Sequence, residues 1–141
     1  MISPKLYQQQ IQDLGIEGMV IFPENLEEAS ILLDELRHIE KILERIRHNI
    51  RIDIRTIRKD YIEKIKGIED TSKVMGLYSK ERSMKDQIKE KRELIDERDM
   101  KIAPYGSIEY IIDDYLMQIK NAKTYITNYS RKQMNEETGG P

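Results

Sequence analysis

The sequence predicts an all-α protein: a long antiparallel helical hairpin, coiled-coil-like, with a kinked return arm. Three observations carry this. Apolar residues recur every three or four positions over most of the chain, which places them on one helical face. No Pro or Gly occurs between Glu24 and Lys66. The apolar positions also mirror one another about a point near Ser72 and Lys73. Ile68 matches Leu77, Tyr61 matches Met84, Ile57 matches Ile88, Ile50 matches Ile95 and Leu43 matches Ile102, each pair of numbers adding to 145. One turn with facing apolar rows is what two antiparallel arms require. The alternative is a three-helix bundle, with the chain folding back at Pro104–Gly106.

Residues 1–22 read as a lead-in segment, with a short helix over Lys5 to Leu14 stopped by Gly15. Pro23 then breaks the chain. Asn25 is an N-cap candidate, with Glu28 as its capping-box partner. The hairpin domain spans 23–134. Its first helix runs from about Leu26 to about Ile68, roughly 65 Å at helical rise. Leu32, Leu36, Ile39, Leu43, Ile46 and Ile50 form a heptad seam, which passes into an eleven-residue rhythm at Ile54, Ile57, Tyr61, Ile65 and Ile68. Gly67 and Gly76 bracket the expected turn. The second helix, about Ser79 to Ile102, has a sparse seam of Met84, Ile88, Ile95 and Ile102, with Lys91 and Arg98 between them. Pro104-Tyr105-Gly106 ends or kinks it. A third helical stretch starts at Ser107 as N-cap, with a regular seam from Ile108 to Tyr129. Glu109, Asp113 and Asp114 suit the positive end of its dipole. Residues 135–141 form a polar tail, expected to be disordered.

The 141 residues suffice for one domain. Hydrophobic content is 38% and charged content 35%, a balance that suits narrow seams rather than a thick core. A net charge of -2 argues against the whole chain being an electrostatic nucleic-acid binder. The absence of Cys removes disulfide and thiol chemistry. The first residues lack the basic start and apolar stretch of a signal peptide, and the longest apolar run, Met19–Phe22, is too short for a membrane span. The expected location is the cytoplasm.

Arg47, Arg51, Arg55 and Arg58 share one helical face. Between Arg37 and Lys66 there are 10 basic and 5 acidic residues. In the mirrored register Arg47 faces Glu97, Arg51 faces Glu93, Arg55 faces Glu90 and Arg58 faces Asp86. Rows of opposite charge flanking a seam set partner choice in coiled coils, so these eight residues are expected to be inter-helix charge pairs. The competing reading is a phosphate-tracking stripe.

His38 and His48 are too far apart along a helix to share a metal ion, and no catalytic, cofactor or metal motif is present. No cofactor is expected, and the chain reads as a non-enzyme. Ile31, Ile42, Ile52 and Ile62 lie off the seam and widen the apolar surface beyond what one partner helix covers; Tyr110 and Tyr125 lie beside the third seam. These six are the candidate interface. The function expected is that of a structural or protein-interaction protein: a self-associating hairpin, a homodimer before other oligomers, acting as adaptor or assembly factor for a protein partner whose identity the sequence does not give. A nucleic-acid-associated factor using the arginine stripe is the alternative.

Overall fold

The computed structural model describes residues 1–75 and 80–138, with side chains described over 1–70 and 84–137. Helix α1 spans Pro4–Asp13, α2 spans Leu26–Met75 and α3 spans Lys80–Thr138, with a 3-10 turn at Ile16–Gly18. No strand occurs among the described residues, and α2 packs against α3 as a hairpin. The turn assigned to Gly76 lies outside the described residues, as does Leu77.

Local chemistry fixes the helix starts. Ser3 caps α1, its Oγ accepting from the Leu6 N–H at 3.3 Å, and Pro4 occupies a first-turn position where no N–H is needed. Gly15 takes the left-handed conformation (φ 66°) that stops α1. Asn25 Oδ1 accepts from the Glu28 N–H at 2.8 Å. The Glu28 carboxylate accepts from the Glu24 N–H at 2.8 Å, one residue earlier than a standard capping box places it.

The helices divide between two compact units. The first comprises Asn49–Ser107 with Met1, and the second Ile2–His48 with Ile108–Pro141. In the first, Ile50, Ile54, Ile57 and Tyr61 of α2 and Tyr105 of α3 are buried. In the second, α1 contributes Tyr7 and Ile11, α2 contributes Ala29, Leu36, Ile39, Leu43 and Ile46, and α3 contributes Ile108, Ile112, Ile119, Ala122 and Ile126. The lead-in is therefore a packed element: Tyr7 is 1% exposed. Tyr115 donates its hydroxyl to Glu17 Oε1 at 2.8 Å, and Phe22 meets Tyr125 edge-on with ring centroids 5.5 Å apart.

Four expectations are corrected. The first concerns register. In the first unit Lys91 pairs with Glu69 at 2.7 Å, and in the second Arg47 pairs with Asp113 at 2.9 Å. Both pairs of residue numbers add to 160, not 145. The two sums differ by 15, one position more than two heptads, and a seam of period seven looks nearly the same after such a slide, so periodicity alone leaves the register degenerate. Burial breaks the tie. The sparse Met84–Ile88–Ile95 row stays exposed, while the Ile108–Ile126 row is covered.

Second, Gly67 does not end α2, which continues through it to Met75. Third, Ser107 is not an N-cap. It lies inside α3, its hydroxyl donating to the Ala103 carbonyl at 3.2 Å. Pro104 is likewise interior to α3, and both features bend helices without ending them. Asp113 and Asp114 thus serve no helix start: Asp113 takes Arg47, and Asp114 accepts from Gln118 at 2.8 Å. Fourth, α3 includes residues 135–138 of the expected tail.

Candidate functional site

Among the described residues the first unit has two helices, parts of α2 and α3, so each edge of this pair faces outward. At 100° per residue, Arg55, Arg58, Ile62 and Glu69 fall within about 60° of one another on α2. On α3, Met84, Ile88, Lys91 and Ile95 fall within a similar arc. The Glu69–Lys91 pair joins these two arcs into one edge. It is basic and apolar: Arg55 and Arg58 are exposed, and Ile62, Met84, Ile88 and Ile95 are 63%, 64%, 52% and 37% exposed. No acid lies three or four residues from Arg55 or Arg58 within α2. Among the described residues neither has an ion-pair partner.

The opposite edge is organised by Tyr61. Its ring is buried, with Lys64 Nζ 4.6 Å and Lys101 Nζ 5.3 Å from the ring centroid. The Tyr61 hydroxyl has no hydrogen-bond partner among the described residues. The Lys101 ammonium nevertheless interacts with that hydroxyl, and this contact, ahead of the charges of Glu97 and Asp60, raises its pKa, which puts the acidic face of α3 on this edge. Asp86, Glu90, Glu93 and Glu97 share that face within about 60°, and all four are exposed.

The eight charged residues expected to pair across the hairpin are thus not brought together as foreseen. Arg47 pairs with Asp113 rather than Glu97. Arg55 and Glu90 lie 15 positions out of register, roughly 22 Å along the helix axis, and the Arg58–Asp86 and Arg51–Glu93 alignments are displaced likewise. Arg51 is exposed and has a partner of its own.

Of the candidate interface residues, Ile52 is 43% and Ile62 63% exposed in the first unit. In the second unit Ile31 is 53% and Tyr110 77% exposed, while Ile42 is half-buried. Tyr125, 48% exposed, spends one edge on Phe22.

Two tyrosines are electrostatically perturbed. The bond to the Glu17 carboxylate, with partial burial, pushes the Tyr115 phenol above its ordinary value. Burial does the same to Tyr105, helped by the Asp53 charge. In the second unit the lead-in and α3 frame a cleft of about 410 Å³ lined by Ile11, Ile16, Ile111 and Tyr115. Among the described residues no cluster of His, Asp and Glu could hold a metal ion, and no helix is long and apolar enough to cross a membrane.

The docking of the lead-in was missed from sequence. Tyr7, Ile11 and Leu14 do carry a four- and three-residue spacing that would have signalled an apolar stripe on α1.

Comparison with known proteins finds no matching family model, no matching curated protein and no matching solved structure.

Proposed function

We propose that this chain is a structural, protein-interaction protein: a helical hairpin that associates with copies of itself through coiled-coil-like contacts and serves as an adaptor or assembly factor in the cytoplasm. One observation carries the reading. Among the described residues of the first unit, Ile52, Ile62, Met84, Ile88, Ile95 and Met100 are exposed, against five buried large apolar residues, Ile50, Ile54, Ile57, Tyr61 and Tyr105. Two helices bury only one seam between them, and long helices draw most of their stability from packing of an apolar face. A second hairpin covering the exposed residues removes that deficit, as in four-helix arrangements. The dimer is the smallest such assembly.

Light scattering across a concentration series tests this. The expected mass is at least twice the 16.8 kDa of one chain, falling toward one chain when Ile62 and Ile88 are both changed to Ser. A mass of one chain at every concentration refutes self-association.

A second reading has its own observation: Arg55 and Arg58 are exposed without an ion-pair partner among the described residues. In that reading the stripe tracks phosphates of a nucleic acid. Binding to a labelled duplex would then weaken steeply with salt and be lost on changing both arginines to Ala. The near-neutral net charge of -2 weighs against it.

A further inference from the structure

We infer that copies of this chain join edge to edge, the basic edge of one hairpin's first unit docking on the acidic edge of the next. The inference rests on the self-association proposed above and adds which surfaces meet. Within α2 and α3 the two charged rows were expected to satisfy each other, and the register prevents it. Arg55 and Arg58 stand at the end of the unit near Tyr105, whereas Asp86, Glu90 and Glu93 stand level with the end of α2. All five are exposed, and none has an ion-pair partner among the described residues. Lys89, three and four residues from Asp86 and Glu93, dilutes the acidic row without facing the same way as Glu90, and Lys64 and Lys101 lie on the same edge around Tyr61, nearer Glu97 than Glu90.

The spacings match. Arg55 and Arg58 are three residues apart, as are Glu90 and Glu93, so each pair rises about 4.5 Å along its helix. Two helices laid side by side bring both pairs together at once. Each row also carries an exposed apolar neighbour. Ile62 is 63% exposed on the arginine arc, and Met100, 77% exposed, lies two turns beyond Glu93 on the acidic one, so the two approach each other when the helices run parallel with Arg55 opposite Glu90. Charge complementarity selects the register, and the apolar pair supplies water-excluding contact. The two surfaces lie on opposite edges, so the contact is heterologous. A joined pair keeps one free edge of each kind, and the assembly grows with concentration unless it closes into a ring.

The test uses full-length chains and sedimentation equilibrium. One variant carries Arg55→Glu with Arg58→Glu, making both edges acidic. The other carries Glu90→Lys with Glu93→Lys, making both edges basic. Circular dichroism checks that each remains helical. If a reversal unfolds the chain, Arg→Gln and Glu→Gln versions with a salt titration replace it. The expected result is that wild type self-associates, each variant alone associates at least tenfold more weakly, and an equimolar mixture regains wild-type association. Wild-type association that neither variant weakens, or weakening that mixing does not restore, overturns the edge pairing while self-association stands. A wild type that stays monomeric overturns both. Variants that keep wild-type mass but lose binding to a labelled duplex show that the arginines serve nucleic acid, and also overturn the edge pairing.

Discussion

Ile57 and Ile88 offer a sharp contrast, because the mirrored pattern in the sequence treats them as equivalent partners. In the structure Ile57 is 4% exposed and Ile88 52% exposed. Replacing Ile by Ala removes about three methylene equivalents, worth roughly 0.8 kcal/mol each when fully buried. At Ile57 a cavity term adds to this, giving a loss of about 3–4 kcal/mol. At Ile88 about half of the transfer term applies, and water refills the space, so the loss is about 1 kcal/mol. Urea unfolding followed by circular dichroism measures both. It is run at the lowest workable protein concentration, because association stabilises the folded chain by mass action. A loss at Ile88 equal to that at Ile57 would mean that Ile88 sits in the seam, and would refute the register from which every surface assignment here follows.

Three further outcomes follow from individual residues. Pro104 is exposed yet interior to α3, where Pro costs about 3 kcal/mol relative to Ala. Pro104→Ala should therefore raise stability by about 1–3 kcal/mol, and a lowered melting temperature would show that the ring is needed to seat Tyr105. Tyr61→Phe removes a buried hydroxyl with no hydrogen-bond partner among the described residues while keeping the ring beneath the two lysines. Stability should hold or rise by up to about 1 kcal/mol, and a comparable loss would show that the interaction of the hydroxyl with Lys101 stabilises the fold. Tyr115→Phe breaks the bond to Glu17 and should cost about 0.5–1 kcal/mol near neutral pH. Because the Tyr115 phenol is raised in the fold, its contribution is full below the ordinary tyrosine value of 10.0. It fades as pH climbs through the raised folded value. The gap between wild type and variant in denaturant titrations should close at high alkalinity, and a gap that widened there would contradict the assignment.

What the sequence revealed and what it hid have the same origin. Apolar spacing specifies which face of a helix is buried, and Leu36, Leu43, Ile50, Ile57 and Tyr61 were all legible on that ground. The same repeat says little about how far one helix slides along another, since a shift of two heptads restores the pattern. The matching rows of Arg and Glu strengthened the wrong register because they were complementary at that slide too. Pro104 and Ser107 resembled a helix boundary locally, but exposure lets water satisfy the carbonyl that Pro leaves unpaired, and α3 continues. The off-seam residues Ile31, Ile52, Ile62 and Tyr110 were legible as exposed apolar positions because angular position depends on spacing alone. Glu17 and Phe22 were not, since their partners lie 98 and 103 residues away along the chain.

The register itself can be measured directly, and the chain's lack of Cys makes it simple. Cysteines are placed in pairs, Glu69→Cys with Lys91→Cys in one protein and Arg55→Cys with Glu90→Cys in another. Each is treated at high dilution with a short bis-maleimide and analysed by mass spectrometry. The 69–91 pair should close within one chain. The 55–90 pair, roughly 22 Å apart along the axis, should stay open at dilution and link only between copies as concentration rises. Closure of 55–90 within a single chain would mean that the charged rows satisfy each other internally, leaving neither edge free for a second copy.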